Sequence, residues 1–491
     1  MTKLQFYNSL SQKKEEFKNI KEDNVEIYTC GPTVYDFAHI GNLRAYIFAD
    51  TLTRILQYNG YKTNWTMNVT DVDDKTIAAS KEKFPELEPK EALKRFTQEY
   101  ENYFLNDLKK LNIRRPDHIP KATETIAEMQ ELIKSLSKSG YAYEKEGSIY
   151  FNIKKYAEKY SYGQLVDLDL SQIKPGVRVS TDEYEKENVN DFVLWKAQKA
   201  GEPSWSFEIG GKSFPGRPGW HIECSAMSKK HLGVPFDIHT GGIDLKFPHH
   251  EDELAQTSAG CGCAKPVNYW IHNEHLLVDN KKMSKSLGNF YTLFDIEKKK
   301  YSPLDFRFLC LGTHYRSKMN FTWESLEAAR HGLEHLRNQI RALDSRLDTR
   351  LDTECSSAFE HRVSKCGEKF ISAINDDLNT PRALAVAQEL LKSDLPEEEK
   401  MATILDFDKI FGLGLSRHME ITVSEKISLK DEIFLVQMPK DTPEEVKELS
   451  ERRAKARQEK NWSESDVLRE QVRSLGYEIE DFEKGYTLKK R

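Results

Sequence analysis

Two of the 14 histidines in this 491-residue chain stand side by side in FPHHEDE, residues 247–253. Adjacent imidazoles and carboxylates can ligate a metal, exchange protons or simply solvate a helix. A zinc protease of the His-Glu-x-x-His kind sets two histidines four residues apart on one helical face. Here the fourfold spacing joins His249 to Glu253, and a regular helix would turn His250 roughly 100° away. Two donors do not make a zinc site, so alone the stretch reads as an exposed polar helix. Cys30, directly after a first strand, and Cys224, in GRPGWHIECSAM, are two more zinc-type donors in distant segments. Read for packing alone, both cysteines are small buried hydrophobes.

Two other stretches suit phosphate. His39-Ile40-Gly41-Asn42 lies between a predicted strand and its helix. Gly41 permits close backbone approach there, and the helix N-terminus offers N–H groups to an anion. His39 and Asn42 could add side-chain donors, although the same four residues also read as an ordinary turn with a capping Asn. Lys282-Met283-Ser284-Lys285-Ser286, followed by Leu287-Gly288-Asn289, sets lysines and serines on a glycine-bounded loop. Such a loop could close over a triphosphate and meet charge developing on the α-phosphate. Its plain reading is a solvated Lys/Ser loop.

These residues need a scaffold that gathers distant segments. Val25–Thr29 reads as a buried strand. Leu43, Ile47, Leu52, Ile55 and Leu56 form a helical stripe ending near Asn59-Gly60, and Asn64–Val69 reads as a second strand. TDVDD follows, with acids suited to a helix N-terminus. Strand, helix, strand begins a parallel α/β domain, whose strand ends converge on one crevice. Residues 121–217 are irregular, with short β-like pieces such as SIYFNI, and read as an inserted domain. The α/β pattern returns in FDIHTGGIDL, and from about residue 318 the periodicity is helical. A turn-rich stretch at 426–443 precedes a last helical hairpin. No internal repeat or low-complexity segment is present.

Composition narrows the class. With 38% hydrophobic and 31% charged residues and no apolar run near the roughly 18 of a membrane span, a soluble, membrane-free protein is expected. The start has neither an apolar signal core nor transit character. Seven scattered cysteines suit reduced thiols in the cytoplasm rather than a disulfide framework. A net charge of −6 argues against non-specific coating of nucleic acid, though not against a local basic patch. Residues 446–491 hold 12 Lys/Arg against 10 Asp/Glu, with Arg453, Arg457 and Lys460 near one helical face before Asn461-Trp462. An exposed Trp beside Arg can stack on an unpaired base. Equally, Trp462 can be the core of an amphipathic hairpin.

The pairing of HIGN with KMSKS resembles the class I aminoacyl-tRNA synthetases. YTCGPTVYDFAHIGN, NVTDVDDKTI, GRPGWHIECSAM, FPHHEDE, KMSKSLGN and DDLNTPRALA extend the resemblance, over nearly the whole chain, to the cysteinyl-tRNA synthetases. The resemblance implies an α/β fold: a Rossmann-like parallel-sheet catalytic domain with an insertion, then an α-helical bundle and a small C-terminal domain. The expected parts are a first catalytic half (1–120), an inserted connective domain (121–217), a second catalytic half (218–275), a stem-contact region with the KMSKS loop (276–325), a tRNA-binding helical bundle (326–425) and an anticodon-recognition domain (426–491).

The implied reaction joins L-cysteine to ATP, with Mg2+, as cysteinyl-adenylate, and then passes cysteine to the 3′ end of tRNA(Cys). One zinc per chain, held by Cys30, Cys224, His249 and Glu253, would distinguish sulfur from oxygen, a difference too small for an apolar pocket. Cys30, Thr70 and Trp220 would line the cysteine pocket. Gly242 and Asp244 would face the ATP ribose, and His39, Gly41, Asn42, Lys282 and Lys285 would act at the phosphates. Arg457, Trp462 and Asp466 would meet the anticodon. A cytoplasmic monomer is expected. Asn42 stands where the family usually has a second His, SFEIGGKSF departs from the expected pocket-rim loop, and Cys261 and Cys263 match no family ligand, reading as surface thiols on a turn. The rivals are a ligase that passes activated cysteine to an amino sugar, a zinc hydrolase and a non-catalytic RNA-binding module.

Overall fold

Four strands run parallel in the computed structural model: β1 (Asn24–Thr29), β2 (Lys62–Met67), β3 (Phe236–Gly242) and β4 (Val267–Asn273), in the order β4-β3-β1-β2. The near-continuous burial of β1, β3 and β4 suits strands covered on both faces, whereas β2 is buried only over Trp65–Met67. Helix α1 (Ile40–Tyr58) links β1 to β2 and buries the predicted stripe of Leu43, Ile47, Leu52, Ile55 and Leu56. Gly60 follows its end at a φ of +91°, which a side chain would strain. The second strand ends earlier than the sequence suggests, because the Asn68 side chain turns to accept from the Gly31 N–H. Asp73 of TDVDD caps helix α2 (Asp74–Lys83) by accepting from the Thr76 N–H. Helices α3 (Trp220–Leu232) and α4 (Glu251–Cys261) complete the scaffold of the site.

The structure describes residues 2–166, 191–284, 287–348, 365–418, 422–429, 432–439, 442–482 and 485–490. It divides into two units, Met1–Leu336 with Cys355–Leu413, and Arg337–Glu354 with Gly414–Arg491. Within the first, Ala142–Lys145, Ser148–Phe151, Val193–Ala197 and Gly216–Pro218 form an antiparallel sheet in the region expected to be inserted. In the second, Thr422–Leu429, Glu432–Pro439, Tyr477–Phe482 and Gly485–Lys490 form a four-stranded sheet with the helical hairpin Glu444–Gln458 and Trp462–Ser474. This corrects the expectation of turns at 426–443. Glu425 and Lys426 interrupt the apolar alternation of Thr422–Leu429, which pairs antiparallel with the next strand, from Thr422 opposite Pro439 to Leu429 opposite Glu432.

A second correction concerns Cys261 and Cys263, expected as separate thiols but joined in a disulfide. The end of α4 turns through Gly262 at a φ of +71°, which sets their Cα atoms 5.4 Å apart, within bridging reach. Among the described residues, Cys30, Cys224, Cys310 and Cys366 are free, and no helix is long and apolar enough to cross a membrane.

The first unit is tied together at the buried Asp50 of α1. Its carboxylate accepts from Arg54 Nε (2.7 Å), Arg307 Nη2 (2.6 Å) and the Arg114 N–H (3.1 Å). Arg307, also buried, donates to the Phe411 carbonyl at 2.7 Å and the Leu111 carbonyl at 3.1 Å. Burial opposes the charge on Asp50, but Arg307, Arg54 and Arg114 hold its carboxyl below the usual range. Asp50→Asn leaves Arg307 buried without its counter-charge, which should cost about 3–5 kcal/mol in urea unfolding at neutral pH. Because the folded pKa is depressed, Asp50 stabilises fully above its unfolded value near ~3.9 and loses the effect as pH falls through the folded value. The gap between wild type and variant should therefore narrow in acid. A neutral-pH difference within about 0.5 kcal/mol would contradict the role.

Candidate active site

The parallel strands deliver their C-terminal ends to one place. Cys30 follows β1, Cys224 lies on α3, and His249 and Glu253 flank the start of α4. All four are buried, and one donor atom from each lies within 4.8 Å of the others. The thiols are 3.8 Å apart, Cys224 Sγ is 3.5 Å from His249 Nε2, and Cys30 Sγ is 3.5 Å from Glu253 Oε1. Zinc–sulfur bonds of about 2.3 Å would set tetrahedral S···S and S···N edges of about 3.8 and 3.6 Å, so this donor set fits zinc in spacing and in chemistry. His249 Nε2 and Glu253 Oε1 are closer, at the 2.9 Å of a hydrogen bond.

Residues 249–253 are buried, not the exposed polar face that the stretch alone suggests. Nor does His250 point away. Extended backbone at Phe247 (φ −142°, ψ 131°) interrupts the helix, and His250 Nε2 reaches within 3.3 Å of Cys30 Sγ. Cys30, His239, His250 and Glu253 thus form a second, overlapping donor group. In it, His239 Nε2 holds Glu253 Oε2 at 2.9 Å, while His250 Nδ1 bonds His272 Nε2 at 2.7 Å, which in turn bonds Ser9. These partners orient the donors.

Burial disfavours charge throughout the cluster, and neighbours decide the outcome. Against burial, the Cys30 hydrogen bond and His249 bring the Cys224 thiol down to about 6. Burial, together with Cys224, pushes Cys30 up. Against burial, Glu253 and Cys224 raise His249 to about 10, and His239 and His249 hold Glu253 at about 2.

Beside the donors, Trp220 stacks on His249 with ring centroids 4.1 Å apart. Thr70 Oγ1 donates to Glu223 Oε2 at 2.7 Å, and burial pushes the Glu223 carboxyl well up. Gly242 closes β3 beside Asp244, whose carboxylate would have to shift to admit a side chain at 242.

The two phosphate motifs meet. His39 caps α1: its Nδ1 accepts from the Asn42 N–H at 3.2 Å, and the Asn42 side chain accepts from the His39 N–H at 3.3 Å. The capping reading of this turn therefore holds in the structure, with both side chains in it. Ile40 N–H donates to the Tyr291 carbonyl at 2.9 Å, and the His39 ring packs on Phe290, 5.1 Å between centroids. A Cβ at Gly41 would lie 3.1 Å from the Met283 methyl of the KMSKS loop. Lys282 is exposed on that loop. Asn289 clasps the loop, accepting from the Ser284 N–H at 2.8 Å and donating to the Lys282 carbonyl at 3.1 Å. Lys285 and Ser286 lie outside the described residues.

In the C-terminal unit, Trp462 is 58% exposed, so it is not the core of the hairpin. The Arg457 guanidinium lies 5.8 Å from its ring centroid and pairs with Asp481 at 2.5 Å, and Asp466 is exposed one turn further along. Arg453 does not share the outer face expected of it. It is buried against Asp481 in a two-pronged pair at 2.5 and 2.7 Å.

Sequence reasoning passed over His239, Glu223 and Asn68, turned His250 away from the cluster, and placed Asn289 only as a flank of the KMSKS loop. A His within an otherwise apolar strand, as in FDIHTGG, is the signal that could have found the first.

Residues 16–331 match the model of the class I tRNA synthetase (C) catalytic domain, and residues 440–487 match that of the cysteinyl-tRNA ligase anticodon-binding domain. Cysteine–tRNA ligases of Leptospira interrogans and Brachyspira hyodysenteriae are each 41% identical over the full length of both chains. That of Chlamydia trachomatis is 42% identical over 99% of each. Among solved structures, methionyl-tRNA synthetase of Mycobacterium tuberculosis bound by methionyl-adenylate shares the fold at a TM-score of 0.56 and 12% identity, covering 81% of this chain and 94% of its own. The leucyl enzyme of Agrobacterium radiobacter K84, in a ternary complex, does so at 0.57 and 11%, covering 96% and 97%. With an anticodon-binding match behind a class I catalytic match and relatives aligned from end to end, the chain belongs to the cysteinyl-tRNA ligase family.

Proposed function

We propose that this protein is a cysteine–tRNA ligase that activates L-cysteine with ATP and Mg2+, releases pyrophosphate and transfers cysteine to the 3′ end of tRNA(Cys). The observation that carries this reading is a buried thiol–imidazole–carboxylate donor set in the same α/β unit as the adjoining HIGN and KMSKS motifs. The substrate's own carboxylate attacks the α-phosphate, so no side chain has to act as nucleophile. The residues assigned to zinc are Cys30, Cys224, His249 and Glu253. When bound there, the metal would prefer the soft substrate thiol over a hydroxyl and favour its thiolate.

Cys30, Thr70 and Trp220 are assigned to the cysteine pocket, with Trp220 also bracing His249. Gly242 and Asp244 are assigned to the ATP ribose. His39, Gly41 and Asn42 are assigned to the phosphates, with Lys282 and Lys285 opposing the charge that builds there. Release of the mutual His39–Asn42 cap would free both side chains for that task. By segment, the proposed division is a catalytic domain in two halves (1–120 and 218–275) around a connective insertion (121–217). A stem-contact region (276–325), a helical bundle (326–425) and an anticodon domain (426–491) follow. Arg457, Trp462 and Asp466 are assigned to the anticodon, and the enzyme to the cytoplasm as a monomer. The anticodon-domain match at 440–487 favours tRNA over an amino sugar as acceptor.

Two variants test the front and the back of the chain. The purified protein should carry about one zinc per chain by elemental analysis, and Cys224→Ala should lose it or hold it weakly. Cysteine-dependent pyrophosphate exchange should fall with the metal while ATP binding persists. Full zinc occupancy with normal cysteine affinity in this variant would remove Cys224 from the site. In the C-terminal unit, Trp462→Ala should weaken tRNA binding by about five- to 150-fold, the range for losing one base stack, with pyrophosphate exchange unchanged. An unchanged KM for tRNA(Cys) would exclude the stacking role.

A further inference from the structure

At the candidate site one carboxylate oxygen is buried without a hydrogen-bond partner among the described residues. Glu223 is fully buried on α3, and its Oε1 makes no hydrogen bond among the described residues. Its other oxygen ends a directed chain. Gly31 N–H donates to Asn68 Oδ1 (2.9 Å), Asn68 Nδ2 donates to Thr70 Oγ1 (3.3 Å), and Thr70 Oγ1 donates to Glu223 Oε2 (2.7 Å). A hydroxyl has one proton and two lone pairs. Thr70 has therefore committed its proton to Glu223 and one lone pair to Asn68, and with its remaining lone pair it can only accept.

Glu223 Oε1 is a buried acceptor that none of the described residues supplies with a donor. A buried carboxylate oxygen without a hydrogen bond or counter-charge is costly, and the cost is relieved when a donor cation arrives. Trp220, Glu223 and Cys224 stand three and four residues apart on α3 and so share a helical face. The carboxylate thus lies on the face that also carries one zinc-type donor and the indole stacked on His249.

We propose that Glu223 is the specificity-determining counter-charge for the α-ammonium of the substrate amino acid, acting through its free Oε1 and through the acceptor polarity it imposes on Thr70. The inference rests on the reading of the protein as a cysteine-activating ligase. A substrate carboxylate, itself only an acceptor, finds no donor in Thr70 and is kept for the phosphate side of the pocket. An α-ammonium finds two acceptors, Glu223 Oε1 and the remaining lone pair of Thr70 Oγ1.

The test compares cysteine with 3-mercaptopropionate, which keeps the thiol and carboxylate but lacks the α-amino group. Wild type should exchange pyrophosphate with cysteine and bind cysteine more tightly than 3-mercaptopropionate, by competition. Glu223→Gln should raise the KM for cysteine by about 10- to 100-fold, with a much smaller change in kcat and none in the KM for ATP. The dissociation constant of 3-mercaptopropionate should stay within a few-fold of wild type. Should Glu223→Gln not fold, Thr70→Val removes the second of the two acceptors, and a smaller but equally selective loss of cysteine is expected. Equal losses for both ligands, or no loss for cysteine, would overturn the proposal. A wild-type enzyme without cysteine-dependent exchange would instead refute the functional reading beneath it.

Discussion

Two thiols, an imidazole and a carboxylate share one buried corner, and the rest of the fold has to make that tolerable. Burying one charged group without a partner costs several kcal/mol, so a cluster of them persists only when each is paired or awaits a counter-ion. The parallel sheet brings the segments together: Cys30 leaves β1, and the FPHHEDE segment follows β3 closely. A supporting layer of histidines then fixes the donors' directions, with His239 on Glu253 and His272 on His250. Burial alone would push both the Cys224 thiol and Glu253 up; Cys30 and His249 instead bring the thiol to about 6, and His239 and His249 hold Glu253 at about 2.

The same strand-end geometry explains why the phosphate motifs adjoin. His39 ends the turn after β1 as the cap of α1, and the loop after Lys282 folds back so that Met283 meets Gly41. At Gly41 any side chain would push against both the His39 ring and Met283. Behind this contact, α1 is anchored through Asp50 to Arg307, so the helix that presents the turn also carries a buried carboxylate bonded to three arginines. Positioning and stability therefore run through one helix.

How much of this could be read beforehand depends on whether a feature is local. The fourfold spacing of His249 and Glu253 pairs them correctly, because both fall at the start of α4, where Glu253 is helical. It misplaces His250, which is itself helical (φ −69°, ψ −30°): a turn of about 100° from His249 still leaves its side chain in the buried corner, within 3.3 Å of Cys30 Sγ. The α1 stripe and its end at Asn59 are legible from apolar spacing alone. The C-terminal strands are not, since Glu425 and Lys426 break the apolar alternation that would mark Thr422–Leu429 as a strand, although it pairs along its length with Glu432–Pro439. Asp50 and Arg307, 257 residues apart, leave no local trace. Glu223 was passed over beside Cys224 because glutamates are so seldom buried that the residue reads as surface. Arg453 was misjudged in the same way, its partner Asp481 lying on a strand that the pattern did not reveal.

The most direct measurement is ATP–pyrophosphate exchange by the full-length protein with cysteine, with serine and with no amino acid, before and after removal of bound metal. A site that reads sulfur through a soft metal held by Cys30, Cys224, His249 and Glu253 should exchange with cysteine, give little or nothing with serine, and lose the preference once the metal is stripped. Equal exchange with serine and cysteine, or cysteine selectivity that survives full removal of the metal, would contradict the account.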